Sequence, residues 1–319
     1  MPDEATAARS PLRPLDFLFI LRPAALVPLW VFFVHGARLA GRRASGPGFA
    51  LLPSWDAALG LFAMTAILTG GYILNQIRDI ETDRANDKLF FLPRGIVSVR
   101  AAATELAFLW AAGLCATLML PGRFGWWAAA ALVLSVTYSA PPVRAKSRFP
   151  LDLIWNGLGF GLVGAGAGWT VVSPPTATTW LLGTSYALSV AGIIASTTVL
   201  DVEGDRAQGL RTAAAVLGAR GAGSVAVAAL VVAAVLGGIG RDLLGFAAPL
   251  LSVPLLIVAQ RSGARRDRIM ANQLAVAAFA IIVGARAPYL LALLAIVYFG
   301  SRAYYRARFG FAYPGPGTR

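Results

Sequence analysis

The feature that most constrains this chain is a series of apolar runs, each about as long as a bilayer is thick. Of its 319 residues, 57% are hydrophobic and 13% are charged, whereas a soluble domain carries about 25% charged residues. A membrane-spanning helix needs about 20 mainly apolar residues. Ten segments approach that length, at roughly 15–36, 54–77, 101–120, 124–140, 151–172, 180–200, 219–240, 243–259, 269–285 and 287–304. They predict an all-α, polytopic membrane bundle of nine to ten transmembrane helices.

The runs also divide the chain into three parts. We expect a polar cytoplasmic N-terminus at 1–14, a single membrane-embedded domain at 15–305 and a C-terminal tail at 306–319. A cleavable signal peptide is not expected, because no small-residue cleavage site and soluble domain follow the first run. The glycine series at 157–168 is typical of close helix packing in membranes. It does not match a dinucleotide-binding loop, since no strand precedes it.

Basic residues predict the orientation of the helices. Fifteen follow the even-numbered segments, and six follow the odd-numbered ones, namely Arg38, Arg42, Arg43, Arg123, Arg241 and Arg286. Cytoplasmic loops of membrane proteins carry an excess of Lys and Arg. The N-terminus and the ends of the even-numbered segments are therefore expected in the cytoplasm. The net charge of +13 is interpreted as basic loops beside anionic lipid, and no nucleic-acid partner is expected.

Seven of the 15 acidic residues lie in two short segments, each at the end of an even-numbered apolar run. The first contains Asn75, Asp79 and Asp83 at intervals of four residues, and the second contains Asp201 and Asp205. Residues four apart share one face of a helix, where like charges repel unless a cation binds between them. Hard oxygen ligands suit Mg²⁺. The four aspartates are therefore the predicted metal ligands of one site built from two halves.

Mg²⁺ is typically held by one or two carboxylates together with substrate phosphates, so a diphosphate is the expected substrate group. Basic side chains close in sequence to the acidic segments are predicted to neutralise it; they are Lys88, Arg94, Lys146, Arg206 and Arg211. Lys88 and Lys146 are the two lysines among 28 basic residues. The single cysteine, Cys115, and the single histidine, His35, leave no thiolate or histidine cluster as an alternative metal centre.

Three ordered motifs resemble those of the UbiA superfamily of intramembrane prenyltransferases. They are Asn-x-x-x-Asp-x-x-x-Asp at 75–83, Tyr-Ser-Ala-Pro-Pro at 138–142 followed by Lys146, and Asp-x-Glu-Gly-Asp at 201–205, continuing to Gly209 and Thr212. The resemblance spans roughly 18–300. It implies a helical bundle, usually of nine membrane helices, around a central cavity open to lipid. It also implies transfer of a prenyl group from a polyprenyl diphosphate to a lipophilic acceptor, usually aromatic, with Mg²⁺.

The same resemblance assigns roles to individual residues. Asn75 and the four aspartates would hold Mg²⁺-diphosphate, and Lys88, Arg94, Lys146 and Arg206 would be its cationic partners. Tyr138 would lie near the leaving group. The predicted catalytic residues are accordingly Asp79, Asp83, Asp201, Asp205, Lys146 and Tyr138.

The sequence departs from the family pattern after each acidic motif. Many members have Arg-Pro and then Gly after the first motif, where this chain has Lys-Leu-Phe-Phe-Leu-Pro-Arg-Gly at 88–95. The second motif usually continues Ser/Thr-Leu-Pro, where this chain has Thr-Ala-Ala at 212–214. The motif wording is most similar to that of chlorophyll synthases and lycopene elongases. The acceptor stays open between a quinone precursor, a tetrapyrrole, a carotenoid end and a sugar phosphate.

Two other classes of membrane protein also use carboxylates. A cation-coupled transporter tends to place them near the midplane on broken helices, whereas here they end apolar runs beside lysines. The CDP-alcohol phosphotransferases are also Asp-rich, but their Asp-Gly-x-x-Ala-Arg string does not occur in this sequence.

Overall fold

The computed structural model describes residues 12–45, 53–85, 91–311 and 313. These residues form helices joined by short connections, and no strand occurs among them. The α-helices within those ranges are α1 (Pro14–Ile20), α2 (Val27–Ser45), α3 (Trp55–Arg78), α4 (Ile80–Ala85), α5 (Val99–Leu118), α6 (Phe124–Ser139), α7 (Leu151–Asn156), α8 (Gly164–Thr170), α9 (Ala177–Thr198), α10 (Val202–Ala207), α11 (Ala213–Ile239), α12 (Leu243–Ser262), α13 (Arg265–Gly284) and α14 (Pro288–Phe309). The all-α fold class is confirmed.

Each of the ten predicted segments overlaps helical structure. Within the described ranges, seven helices are long and apolar enough to cross a membrane. Helix α6 is apolar but has only 16 residues. The segment predicted at 151–172 is interrupted, since the π-helical stretch Gly157–Val163 separates α7 from α8. The number of bilayer crossings therefore stays a prediction of nine to ten.

The prediction of one continuous helix at 15–36 is wrong in two respects, because the helix is interrupted and its second part ends later than expected. Helix α1 stops at Ile20, and a 3₁₀ turn at Pro23–Leu26 precedes α2. Proline lacks the backbone N–H that a continuous helix needs and restricts the residue before it; Arg22 has φ +55° there. Helix α2 then continues to Ser45, so Arg38 and Arg42 lie on the helix rather than in a loop.

Glycines allow α2 and α8 to pack backbone against backbone. A Cβ on Gly36 would lie 2.1 Å from the carbonyl oxygen of Ala165, and one on Gly168 would lie 1.9 Å from that of Phe33. Both distances are far inside van der Waals contact, so only glycine fits at these two positions. The interpretation of the glycine series as a packing feature is confirmed.

The outer surface of the bundle is apolar. Large side chains that point outward include Leu118 at 85% exposure, Trp126 at 81% and Ile296 at 70%. In water such a surface would be unfavourable, but it matches the hydrocarbon interior of a bilayer.

A buried polar contact fastens α2, α9 and α12 at one end of the bundle. Asp242, the N-cap of α12, lies with Oδ1 2.9 Å from Nε2 of His35, and its Oδ2 accepts hydrogen bonds from the hydroxyl of Tyr186 (2.8 Å) and the backbone N–H of Gly245 (2.7 Å). Burial by itself raises the pKa of Asp242. The charge and hydrogen bond of His35, with the other two donors, outweigh burial and lower that pKa to about 2.

Candidate active site

The two acidic segments share one local structure. Asp79 lies at the junction of α3 and α4 with φ −112° and ψ 12°, and Asp201 lies before α10 with φ −111° and ψ 4°. One turn later, the backbone N–H of Asp83 donates to the carbonyl of Asp79 (2.7 Å), and that of Asp205 donates to Asp201 (2.9 Å). The predicted single helical stripe is therefore replaced by a helix junction, while the four-residue register within each pair is kept.

Lys146 joins the first acidic segment. Its Nζ donates a 2.9 Å hydrogen bond to Oδ1 of Asn75 and also bonds Oδ2 of Asp79. The hydroxyl of Ser139, at the end of α6, donates to the same Asn75 oxygen (3.1 Å). Burial lowers the pKa of the Lys146 ammonium from its usual value, and the hydrogen bond and charge of Asp79 offset only part of that effect. Residues from α3, α6 and the loop after α6 thus converge at one point.

The carboxylates of the first segment fit a hard cation. Asp79 and Asp83 are both buried. Oδ1 of Asp79 is buried without a hydrogen-bond partner and lies 3.6 Å from a guanidinium nitrogen of Arg144. Within the described part of the chain, no three Asp, Glu, His or Cys side chains form a group that could hold a metal alone. Mg²⁺ is typically held by one or two carboxylates together with water and substrate phosphate, and in such a site Asp79 and Asp83 would be the carboxylates.

The stretch that follows the second acidic segment is hydrogen-bonded to the loop that carries Lys146. The backbone N–H of Arg211 donates to Ser147 (3.0 Å), and that of Phe149 donates to Arg211 (2.6 Å). Asp205 is half-buried and accepts a 2.7 Å hydrogen bond from the hydroxyl of Thr212. Lys146 therefore belongs to a loop whose backbone bonds Arg211, in the stretch that follows the second acidic segment, and its side chain bonds Asp79 of the first.

Tyr138 is placed by α7. Its hydroxyl accepts a hydrogen bond from the side-chain amide of Asn156 (3.3 Å), which also donates to the carbonyl of Asp152 (2.7 Å). The Asp152 carboxylate in turn accepts the backbone N–H of Ala213 at the start of α11 (3.2 Å). Sequence reasoning identified Tyr138 but missed Asn156 and Asp152, whose only sequence signal is polarity within an apolar run.

The other predicted cations are exposed or lie outside the described residues. Arg94 and Arg211 are exposed. Arg206 is also exposed, and its Nη2 donates to the carbonyl of Ala215 (3.3 Å). Lys88 lies outside the described residues.

A cavity of about 890 Å³, counting its open mouth, leads from the polar cluster into the bundle. At one end it is lined by Asn75, Tyr138 and Lys146. The remaining wall is mostly apolar or aromatic and includes Leu29, Met64, Leu68, Tyr72, Leu134, Trp155 and Phe160. The cavity therefore accommodates a molecule with a charged head and a long apolar body.

Arg22 is a cavity residue that the sequence interpretation missed. Its guanidinium lies 5.5 Å from the ring centre of Tyr72, within reach of a cation–π contact. It also lies close enough to Asp83 for electrostatic attraction. An arginine inside an apolar run is itself a functional signal, and the following proline marked the break that lets Arg22 enter the cavity.

Comparison with known proteins agrees with this geometry. The family model described as the UbiA prenyltransferase family matches residues 29–281. The bacteriochlorophyll synthase 34 kDa chain of Chloroflexus aurantiacus is 26% identical over 225 residues, which cover 66% of this chain and 71% of that protein. A lycopene elongase/hydratase of Haloarcula japonica is 32% identical over 188 residues, covering 55% of this chain and 58% of that protein.

A solved structure shows the same fold. A UbiA homologue from Archaeoglobus fulgidus, bound to DMAPP and Mg²⁺, superposes with a TM-score of 0.65 at 20% sequence identity, covering 88% of this chain and 99% of that one. The resemblance inferred from the motifs is confirmed, and the transporter and phosphotransferase alternatives are set aside. The chain belongs to the UbiA prenyltransferase family and is an integral membrane prenyltransferase.

Proposed function

We propose that the protein transfers a prenyl group from an allylic polyprenyl diphosphate to a hydrophobic aromatic or isoprenoid acceptor, in a reaction that requires Mg²⁺. The observation that carries this proposal is the cavity, in which a polar end with Asn75 and Lys146 continues into an apolar interior. A polyprenyl diphosphate has the same division between a charged head and an apolar body.

The diphosphate is placed at the polar end. Lys146 and Arg22 supply positive charge there, and Asn75 supplies an amide. Asp79, Asp83, Asp201 and Asp205 are the proposed Mg²⁺ ligands. When bound, Mg²⁺ supplies charge neutralisation for the diphosphate leaving group. The Archaeoglobus fulgidus homologue bound to DMAPP and Mg²⁺ supports this assignment.

The protein's own residues then favour ionisation of the donor. The bond between the first prenyl carbon and the diphosphate oxygen breaks, and its electron pair leaves with the diphosphate. Lys146 and Arg22 stabilise the charge that develops on this leaving group. The aromatic faces of Tyr72, Tyr138 and Phe160 line the cavity, and such faces stabilise a carbocation.

The apolar wall serves the second half of the reaction. A water-poor cavity keeps the prenyl cation from being hydrolysed. The acceptor attacks the first prenyl carbon, forms a new bond to it and releases a proton. The names of the two relatives, bacteriochlorophyll synthase and lycopene elongase/hydratase, support a large hydrophobic acceptor, a tetrapyrrole or an isoprenoid end.

The catalytic end is proposed to face the cytoplasm, in a cytoplasmic membrane crossed nine or ten times. The distribution of basic residues supports this orientation, with fifteen after the even-numbered segments and six after the odd-numbered ones. The N-terminus at 1–14 would then lie in the cytoplasm, and the tail at 306–319 would lie on the same side if the number of crossings is even.

The proposal is tested with membranes that contain the protein. They are incubated with isotopically labelled prenyl diphosphates of increasing length and a panel of quinone precursors, tetrapyrroles, carotenoids and glycerol phosphates, and lipid extracts are analysed by mass spectrometry. We expect a product whose mass equals acceptor plus prenyl group minus one proton. Membranes with the Asp79→Asn variant are the control. The absence of any prenylated product across the panel, with the protein folded, would contradict the proposal.

A further inference from the structure

The side chain of Asn156, the last residue of α7, hydrogen-bonds the hydroxyl of Tyr138 in one defined direction. Its nitrogen donates to the backbone carbonyl of Asp152 (2.7 Å) and to the phenolic oxygen of Tyr138 (3.3 Å). A backbone carbonyl can only accept, so the contact with Asp152 establishes which end of the amide is the NH₂ group. Because an NH₂ group can only donate, the Tyr138 oxygen is the acceptor in its contact with Asn156.

That direction leaves the hydroxyl hydrogen of Tyr138 available. A phenol can donate one hydrogen bond while it accepts another. Within the described part of the chain, the Tyr138 hydroxyl donates to no protein group. Accepting a hydrogen bond also polarises the O–H group and makes it a stronger donor. Tyr138 is therefore a donor whose acceptor does not belong to the described residues.

The surroundings of Tyr138 indicate what kind of acceptor fits. Tyr138 lines the large cavity at the same end as Asn75 and Lys146. Arg22 also lines the cavity, and Tyr138 is close enough to Arg22 and to Asp79 for electrostatic interaction. Cationic side chains beside a hydroxyl donor favour an anionic oxygen. A diphosphate carries several such oxygens, whereas a prenyl chain carries none.

Asn156 is itself held by the stretch that follows the second acidic segment. Asp152, one turn earlier on α7, accepts with Oδ2 the backbone N–H of Ala213 at the start of α11 (3.2 Å). The adjacent Thr212 donates to Asp205 (2.7 Å). The single turn that carries both Asp152 and Asn156 is therefore fixed relative to the start of α11 and, through Thr212, to the second acidic segment.

We propose that Asn156 is a positioning residue, which directs the hydroxyl hydrogen of Tyr138 toward the diphosphate of the prenyl donor. The hydrogen bond strengthens as the diphosphate leaves, because the oxygen that was bonded to the first prenyl carbon gains negative charge. No proton is transferred, since Tyr138 keeps its hydrogen throughout. This inference rests on the proposed function for the identity of the diphosphate, but it concerns a contact that can be measured without prenyl transfer.

The test measures binding of inorganic diphosphate, which is the leaving group itself, to the purified full-length protein in detergent with Mg²⁺, by isothermal titration calorimetry. Wild type, Tyr138→Phe, Asn156→Leu and the double variant form a double-mutant cycle. Leucine is close to asparagine in shape and uncharged, so it removes the two hydrogen bonds without adding charge repulsion. Asn272→Leu is the matched control, since the Asn272 amide also donates to a carbonyl four residues earlier, that of Arg268 (2.9 Å), and does not line the cavity.

We expect Tyr138→Phe to weaken diphosphate binding by about tenfold, and Asn156→Leu by about threefold or more, as for loss of a hydrogen bond to a charged group and loss of its direction. In the Tyr138→Phe background, Asn156→Leu should change the dissociation constant by less than about twofold, because the hydroxyl that it directs is gone. Asn272→Leu should stay within about twofold of wild type. Unfolding temperatures show whether each variant is folded.

An effect of Asn156→Leu that persists in the Tyr138→Phe background would mean a structural role for Asn156 and would overturn the proposal. Unchanged binding in Asn156→Leu, an equal loss in Asn272→Leu, or a wild type that does not bind diphosphate would overturn it too. Failure of the proposed function is recognised separately, since wild type would then form no prenylated product in the labelling test, even if diphosphate binding followed the expected pattern.

Discussion

Replacing Lys146 by alanine is the most informative perturbation of the proposed donor site. The ammonium is 12% exposed and hydrogen-bonds both Asn75 and Asp79. A hydrogen bond to a charged group contributes about 1.5–3 kcal/mol. If Lys146 makes one such bond to the departing diphosphate, kcat/KM for the prenyl donor falls about 10- to 150-fold, at about 1.4 kcal/mol per factor of ten.

The assay varies each substrate in turn with the purified protein in liposomes. KM for the acceptor should change little, and a fall in kcat would show that the contact strengthens in the transition state. Lys146→Arg should recover part of the loss, since it restores the charge in a different shape. Arg220→Gln is the control, because Arg220 is an exposed cation at the start of the long helix α11.

Two outcomes would refute this reasoning. A change confined to the acceptor KM would move Lys146 into the acceptor pocket. Unchanged kinetics for Lys146→Ala would show that its contacts with Asn75 and Asp79 are structural only.

Three further predictions follow from other parts of the structure. Arg22→Gln should lower kcat/KM for the donor by about tenfold or more, and unchanged donor kinetics would remove Arg22 from the site. The pKa of Asp242 is lowered to about 2. Above its unfolded pKa of about 4, the ionised carboxylate therefore contributes about 2 kcal/mol to the free energy of unfolding, and this contribution is lost as pH falls from about 4 through about 2. Unfolding measured in detergent should show that loss in wild type and not in Asp242→Asn. Single cysteines placed in 143–149, in a Cys115→Ser background, should react with an impermeant reagent only from the cytoplasmic side, and labelling from outside intact cells would reverse the proposed orientation.

Much of the fold could be predicted because hydropathy and helix length are local properties. The second segment was predicted at 54–77, and α3 runs from Trp55 to Arg78. Errors arose where the backbone leaves ideal geometry. Apolar composition does not distinguish an α-helix from the π-helical stretch Gly157–Val163. Nor did hydropathy reveal that α11 extends back to Ala213 through non-helical dihedrals at Gly218.

The candidate site was predictable to the extent that its residues are charged and regularly spaced. Asn75, Asp79 and Lys146 were all identified, and the structure brings them into contact. The contribution of Arg22 was not predicted, because it depends on how a broken helix turns toward the cavity. The pairing of His35 with Asp242 joins residues 207 positions apart, and no local pattern indicates such a contact.

The central claim is that both acidic segments form one Mg²⁺-dependent site, and a double-mutant cycle on diphosphate release tests it most directly. Release from an allylic prenyl diphosphate in the presence of acceptor is measured for wild type, Asp79→Asn, Asp201→Asn and the double variant, each across a Mg²⁺ titration. Residues that act as a unit are strongly non-additive. We therefore expect each single variant to lose most of the activity and the double variant to lose little more. Mg²⁺-independent release, or losses in the two variants that simply multiply, would contradict the claim.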